Sequence, residues 1–245
     1  MRTLISLVVL LLAPVSVAPV LASGGEHVKL DHVRVDLHDK KSLQRGARIF
    51  VNYCLSCHSA GYMRYNRMGH DLGISEELVK ENLLFAADKV GDLMKTVMPA
   101  DDAKAAFQTI PPDLTLVARS RGADWIYTYM RTFYRDDKSP SGWNNVVFDR
   151  VAMPHVLYEW QGEQRPKYKT EDGKQVFDGL TLEKPGSMNP AEYDRAMRDL
   201  TNFLVYLGEP AQLERYRIGV YVLLFLALFL FVAYLLKKEY WKDVH

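Results

Sequence analysis

Ser42-Leu43-Gln44-Arg45-Gly46-Ala47-Arg48-Ile49-Phe50-Val51-Asn52-Tyr53 runs directly into Cys54-Leu55-Ser56-Cys57-His58. The second string is the attachment signature of c-type haem. Two thiols three positions apart on one helical turn can each add to a porphyrin vinyl group and form a thioether. The imidazole of the next residue then lies under the iron as its proximal ligand. Cys54 and Cys57 are the only cysteines in the chain. A zinc site would want further thiols or histidines at matching spacing. A thioredoxin-like redox pair would leave His58 unexplained.

The first string reads as a helix opened by Ser42 as its cap, with Gly46 in its interior. Glycine inside a helix costs about 1 kcal/mol against alanine, so it needs a packing reason, and close approach of a second helix would supply one. The candidate partner runs from Asn189-Pro190-Ala191-Glu192 to Leu207-Gly208-Glu209-Pro210. Asn189 can cap it, Pro190 suits its first turn, and Gly208 with Pro210 stops it. Tyr193, Met197, Leu200, Leu204 and Leu207 form its apolar stripe. Two helices crossing at a glycine with a haem gripped between them is the plan of small c-type cytochromes, and a mainly α fold is expected.

Working outward, the 245 residues are 48% hydrophobic and 25% charged, with a net charge of +1. That balance excludes a disordered or collagen-like chain and gives no electrostatic reason to expect nucleic acid. The apolar residues concentrate at the two ends. Met1-Arg2-Thr3, an apolar run from Leu4 to Ala13, Pro14 and the small residues before Ser23 are the parts of a secretory signal peptide over 1–22, with cleavage after Ala22. An uncleaved anchor is the plainer alternative. At the other end, Ile218 to Leu236 carries no charge and spans about 28 Å, enough for a bilayer core. Arg215 and Arg217 flank one side of it, and Lys237, Lys238 and Lys242 the other, with Tyr216, Tyr234, Tyr240 and Trp241 at the interfaces. The expected organisation is an exported haem domain at 23–214, a transmembrane helix at 215–237 and a cytoplasmic tail at 238–245. Residues 23–214 hold 25 Lys and Arg against 28 Asp and Glu, a net of −3.

The sixth iron ligand decides whether the iron shuttles electrons or binds a small molecule. Met130 and Met197 fall on helical apolar faces, Met63 and Met68 come too soon after the motif, and Met94 reads as helix packing. Met98-Pro99 and Met153-Pro154 remain, because a rigid turn can present sulfur to iron. His70 and His155 are the imidazole rivals.

Further motifs carry a resemblance. Ser59 and Tyr62 follow the haem motif, Pro111-Pro112-Asp113-Leu114 leads to Val117-Ala118-Arg119-Ser120-Arg121, and Val151-Ala152-Met153-Pro154-His155 precedes the single C-terminal anchor. Over nearly the whole length from residue 23, the sequence resembles the cytochrome c1 family, the haem subunits of quinol–cytochrome c oxidoreductase. The resemblance implies one covalently attached haem c held by Cys54, Cys57 and His58. It implies Met153 as the sixth ligand and Arg121 against a haem propionate, where two solvated arginines at a helix start would be the plain alternative. Where the family often has a further small residue and two prolines, this sequence has Pro154-His155. The resemblance also implies electron transfer from a Rieske iron–sulfur protein to a soluble cytochrome c. Cytochrome b would be its neighbour, on the periplasmic side of a bacterial inner membrane.

Trp125 and Tyr127 are candidates to line the pocket, and Pro111 and Pro112 to wall the His58 face. Short helices are expected after Ser75 and at Asp101-Asp102, and an aromatic-rich helix from Gly122 to Arg135. Residues 139–186 read as loops and turns, with a hairpin turn at Thr170-Glu171-Asp172-Gly173-Lys174. No carboxylate pair, nucleophile–base set or phosphate loop stands out. The rival readings are a free-standing anchored carrier, the cytochrome of another membrane complex, and an open-site haem sensor or peroxidase.

Overall fold

The computed structural model describes residues 28–171 and 174–243. The signal-peptide reading over 1–22 lies outside the described residues, as do the two central residues of the expected turn at 170–174.

The fold is organised by two helices. The first, α1 (Lys40–Ile49), is opened by Asp39, whose carboxylate accepts a hydrogen bond from the Ser42 amide at 3.0 Å. Ser42 is therefore not the cap that the sequence suggested. It lies inside the helix, where its hydroxyl, turned toward the core, donates to Asp199 at 2.6 Å. A π-helical turn, Phe50–Cys54, continues α1 and delivers the chain to the haem motif.

Three short elements follow: β1 (Ala60–Arg64), α2 (Tyr65–Leu72) and α3 (Glu76–Asn82). Ser75 caps α3 as expected, accepting from the Leu78 amide. The two-residue strand β2 (Leu93–Met94) pairs antiparallel with β1, so Met94 is buried in a strand rather than in a helix. Next come α4 (Ala100–Phe107), α5 (Val117–Arg121) and α6 (Ala123–Arg131). The aromatic helix thus ends before Arg135, and Phe133–Arg135 forms β3 against β4 (Trp143–Asn145). The single turn α7 (Tyr158–Gln161) leads into a long antiparallel hairpin, β5 (Gly162–Glu171) and β6 (Lys174–Pro185). The region expected to be loops is in good part this hairpin. Gly162 starts it at φ +94°, where an added Cβ would meet the Lys184 carbonyl oxygen at 2.1 Å.

The second organising helix, α8 (Pro190–Gly208), has the expected start. Asn189 accepts from the Glu192 amide, and the Glu192 carboxylate accepts from the Asn189 amide. Tyr193, Met197, Leu200, Leu204 and Leu207 are all buried. The helix crosses α1 at Gly46, where a Cβ would stand 2.1 Å from the Asp199 carbonyl oxygen and 2.7 Å from Phe203 Cβ. No side chain fits there, which is why a helix interior carries glycine at a cost in propensity. Around the crossing, Arg45 donates to both oxygens of the buried Asp199 carboxylate, and Asn202 donates to Ser42. Phe50 packs on Phe203 with ring centroids 5.6 Å apart.

Helix α6 lies along the same α8. Tyr193 donates to the Met130 carbonyl oxygen at 2.8 Å, and Arg131 pairs with Asp194. The final helix, α9 (Gln212–Tyr240), is 29 residues long, its most apolar 18-residue stretch has mean hydropathy 2.7, and the chain buries none of its residues. At about 43 Å it exceeds the uncharged run and reaches both interfaces of a bilayer.

Two outcomes are expected for the detergent-solubilised full chain. Gly46→Ala should destabilise by about 2–3 kcal/mol and lower the melting temperature by roughly 5–10 °C, read by thermal unfolding. An unchanged melting temperature would mean that the helices do not touch at this point. The second outcome concerns Asp71, which accepts from Arg67 at 2.6 Å and from the buried Tyr206 hydroxyl at 2.9 Å. Burial raises its carboxyl, but the hydrogen bonds from Arg67, Tyr206 and His70 outweigh that and hold it below the usual range. A depressed folded-state value contributes stability that is present above the unfolded value of about 3.9 and lost as pH falls through the folded one. Asp71→Asn should therefore cost about 1–2 kcal/mol at neutral pH, and its acid limb should be shallower in denaturation curves.

Candidate functional site

The π-helical turn ends at Cys54, whose carbonyl oxygen accepts from the Cys57 amide at 3.0 Å and the His58 amide at 2.7 Å. This single turn places both thiols and the imidazole together. The cysteines form no disulfide. Burial pushes the Cys54 thiol up to about 12, with the nearby Cys57 adding to the shift, so before haem is attached the sulfur is protonated.

His58 faces the Pro111–Leu114 loop, with Nδ1 2.7 Å from the Pro112 carbonyl oxygen. A carbonyl can only accept, so the proton is on Nδ1 and the lone pair of Nε2 is free for a metal. Burial lowers the His58 imidazole below its ordinary value, against the opposing pull of Pro112 and Asp113. The ring is therefore kept neutral, the form a ligand needs. Asp113 clasps the loop: one carboxylate oxygen accepts from the Gly61 amide, and the other from the Thr115 amide and hydroxyl. The Leu114 amide adds a bond to the Ser59 carbonyl oxygen. The Pro-Pro-Asp-Leu element is thus a strap that positions one carbonyl oxygen under His58.

Met153 lies in the loop before α7, half-buried, and its sulfur accepts from the Tyr129 hydroxyl at 3.4 Å. Tyr129 belongs to an aromatic wall on α6. Trp125 stacks on it at 4.9 Å, and its ring meets Phe133 edge-on at 5.0 Å. Burial raises the Tyr129 phenol, so it stays a neutral donor. Tyr129 was missed in the sequence, although its spacing of four from Trp125 on a helix was the available signal. Tyr127, a sequence candidate, turns away and carries the Arg131 guanidinium over its ring at 4.6 Å.

Arg121 is exposed, with its guanidinium 5.2 Å from the centroid of Trp125, and makes no ion pair among the described residues. Arg119 is engaged elsewhere, with Glu209 at 3.0 Å. The rival Met98 is tied to the motif's own turn. Its amide donates to Thr96, whose hydroxyl donates to the Ser56 carbonyl oxygen and whose amide donates to Ser59. His70 is exposed beside Asp71. His155 is buried, stacked on Phe133 at 4.9 Å with Trp143 edge-on. Burial holds its imidazole down at about 4.

The donor chemistry fits a haem: paired thiols on one turn, a neutral imidazole with a fixed tautomer, a hydrogen-bonded thioether and an aromatic wall. Val97, Ile110 and Leu116, exposed on the segments beside the motif, add apolar surface for a macrocycle.

Comparison with known proteins agrees with this chemistry. A model of the cytochrome C1 family matches residues 32–244. The chain is 53% identical to cytochrome c1 of Allochromatium vinosum over the full length of both. It is 50% identical to a Nitrosomonas europaea protein named ammonia monooxygenase gamma subunit, over 96% of this chain and 97% of that one. Mitochondrial cytochrome c1 haem protein of Kluyveromyces lactis is 24% identical over 86% of this chain and 73% of its own. The chain belongs to the cytochrome c1 family, and its prosthetic group is a covalently bound haem c.

Proposed function

We propose that this chain is the haem subunit of a quinol–cytochrome c oxidoreductase, with iron held between His58 and Met153 and a propionate met by Arg121. It would take an electron from a Rieske iron–sulfur protein and pass it to a soluble cytochrome c, with cytochrome b alongside α9. The observation that carries the ligand reading is the Tyr129 hydrogen bond to the Met153 sulfur. It fixes a thioether against the aromatic wall, whereas Met98 is fastened to the turn that carries His58.

Bound haem supplies the one-electron couple. The chain's residues hold and tune it. Pro112 keeps the proton on His58 Nδ1, so the ring coordinates through Nε2 without changing protonation. Thioether sulfur favours ferrous iron, and His/Met ligation raises the potential relative to two imidazoles. A guanidinium at Arg121 offers a carboxylate two parallel hydrogen bonds. None of these roles requires the chain to transfer a group or a proton.

The sequence supports an export signal over 1–22, a periplasmic haem domain over 23–214, an anchor over 215–237 and a cytoplasmic tail over 238–245 in a bacterial inner membrane. The continuous helix α9, uncovered by the rest of the chain, supports the anchor.

Met153→Leu is expected to abolish the long-wavelength charge-transfer band of methionine-ligated ferric haem and to open the ferrous form to carbon monoxide. Met98→Leu should leave both unchanged, and the reverse pattern would overturn the ligand assignment. For the partners, the tagged chain extracted in mild detergent should co-purify with a cytochrome b and a Rieske protein. Co-purification with monooxygenase subunits instead would move it to the complex named for the Nitrosomonas relative.

A further inference from the structure

Behind the haem turn, a cleft of about 500 Å³ opens between α1 and α8. Arg45 and Arg48 are three apart on α1, and Arg195 and Arg198 three apart on α8, so each pair shares a helix face. The contact at Gly46 draws the helices together, and all four side chains line the same cleft. Trp160 and Met188 form its apolar side, and Trp160 packs edge-on against Tyr53, the residue before Cys54.

The acids in the cleft are already engaged. Both Asp199 oxygens are taken by Arg45, and one also by Ser42. The Glu192 carboxylate accepts from the Asn189 amide. Among the described residues the guanidiniums of Arg48, Arg195 and Arg198 make no hydrogen bond or ion pair, and Arg48 is engaged only through its backbone, whose carbonyl oxygen accepts from Asn52. Four guanidiniums against the two carboxylates of Asp199 and Glu192 leave this one concave site with a net charge of +2, on a domain region whose net charge is −3. An anion between the guanidiniums would relieve their mutual repulsion. Forked guanidinium donors match phosphate oxygens two at a time, and the apolar side suits an organic body attached to them.

We propose that this cleft binds a multivalent phosphate-bearing anion, free or as the headgroup of a lipid, at a site separate from the haem ligands. The test is isothermal titration of the haem-loaded full chain in uncharged detergent, at constant ionic strength. One arm uses sodium pyrophosphate, and the other dihexanoyl phosphatidylglycerol below its micelle concentration. Each is repeated with Arg48→Gln/Arg195→Gln and, as a second variant, Arg198→Gln alone. Saturable binding of pyrophosphate that the double variant weakens at least about tenfold supports the site with a free phosphate. The same pattern with the lipid alone supports it with a headgroup. The haem spectrum, unchanged in both variants, reports that they are folded. If neither probe binds, or binding survives all the substitutions, the proposal is overturned.

Discussion

The close crossing of α1 and α8 at Gly46 is the constraint on which the rest of the molecule depends. Backbone meets backbone so closely there that even a methyl group is excluded. Such an approach brings the Asp199 carboxylate out of water, and burying a charge is costly unless it is paired and hydrogen-bonded. Arg45 and Ser42 supply those bonds from the facing helix. The crossing and its polar network therefore define each other, and sliding one helix past the other would break both. Because the π-helical turn continues α1 without interruption, the position of Cys54 is inherited from this contact.

From that fixed turn, the two candidate donors are held by different means. His58 is oriented by a backbone carbonyl oxygen, and Asp113 keeps that carbonyl in place by accepting three hydrogen bonds from β1 and its own loop. Met153 is oriented by a phenol on α6, and α6 is fastened to α8 through Tyr193 and Arg131. Both arms lead back to the crossing pair, one through the loop after the motif and one through the helix beside α8. A redox centre benefits from such support, because a site that does not rearrange between oxidation states has a small cost of electron transfer.

What could be read in the sequence follows from how local each feature is. The haem motif, the Asn189 cap, the α8 stripe and the C-terminal helix depend on residues within a few positions of each other, and all were legible. Gly46 was legible as a misfit, since its propensity cost demanded a neighbour. The cap of α1 was misread because Ser42 and Asp39 are both good capping residues. The choice between them is made by Asp199, 157 positions away, which engages the Ser42 hydroxyl. Strand β3 was read as helix because its partner β4 lies across a loop, and pairing overrides local preference. The hydrogen bond from Tyr129 to Met153 spans two elements and 24 positions, and only the fold brings them together.

The same network reaches the membrane. Arg119, one turn from the strap that supports His58, pairs with Glu209 at the end of α8, and Glu209 also accepts from Arg215 in the first turn of α9. Gly208 lies against the Arg119 side chain and the Thr115 carbonyl oxygen, so the segment after the strap and the end of α8 pack together. A domain joined to its anchor by a free linker would sample many orientations to a membrane-bound donor. Here two ion pairs through Glu209 follow directly on the helix that fixes the haem turn, so the anchor begins without a long linker. Electron transfer falls steeply with distance, so a short connection keeps the redox site within reach of the membrane surface that the anchor defines.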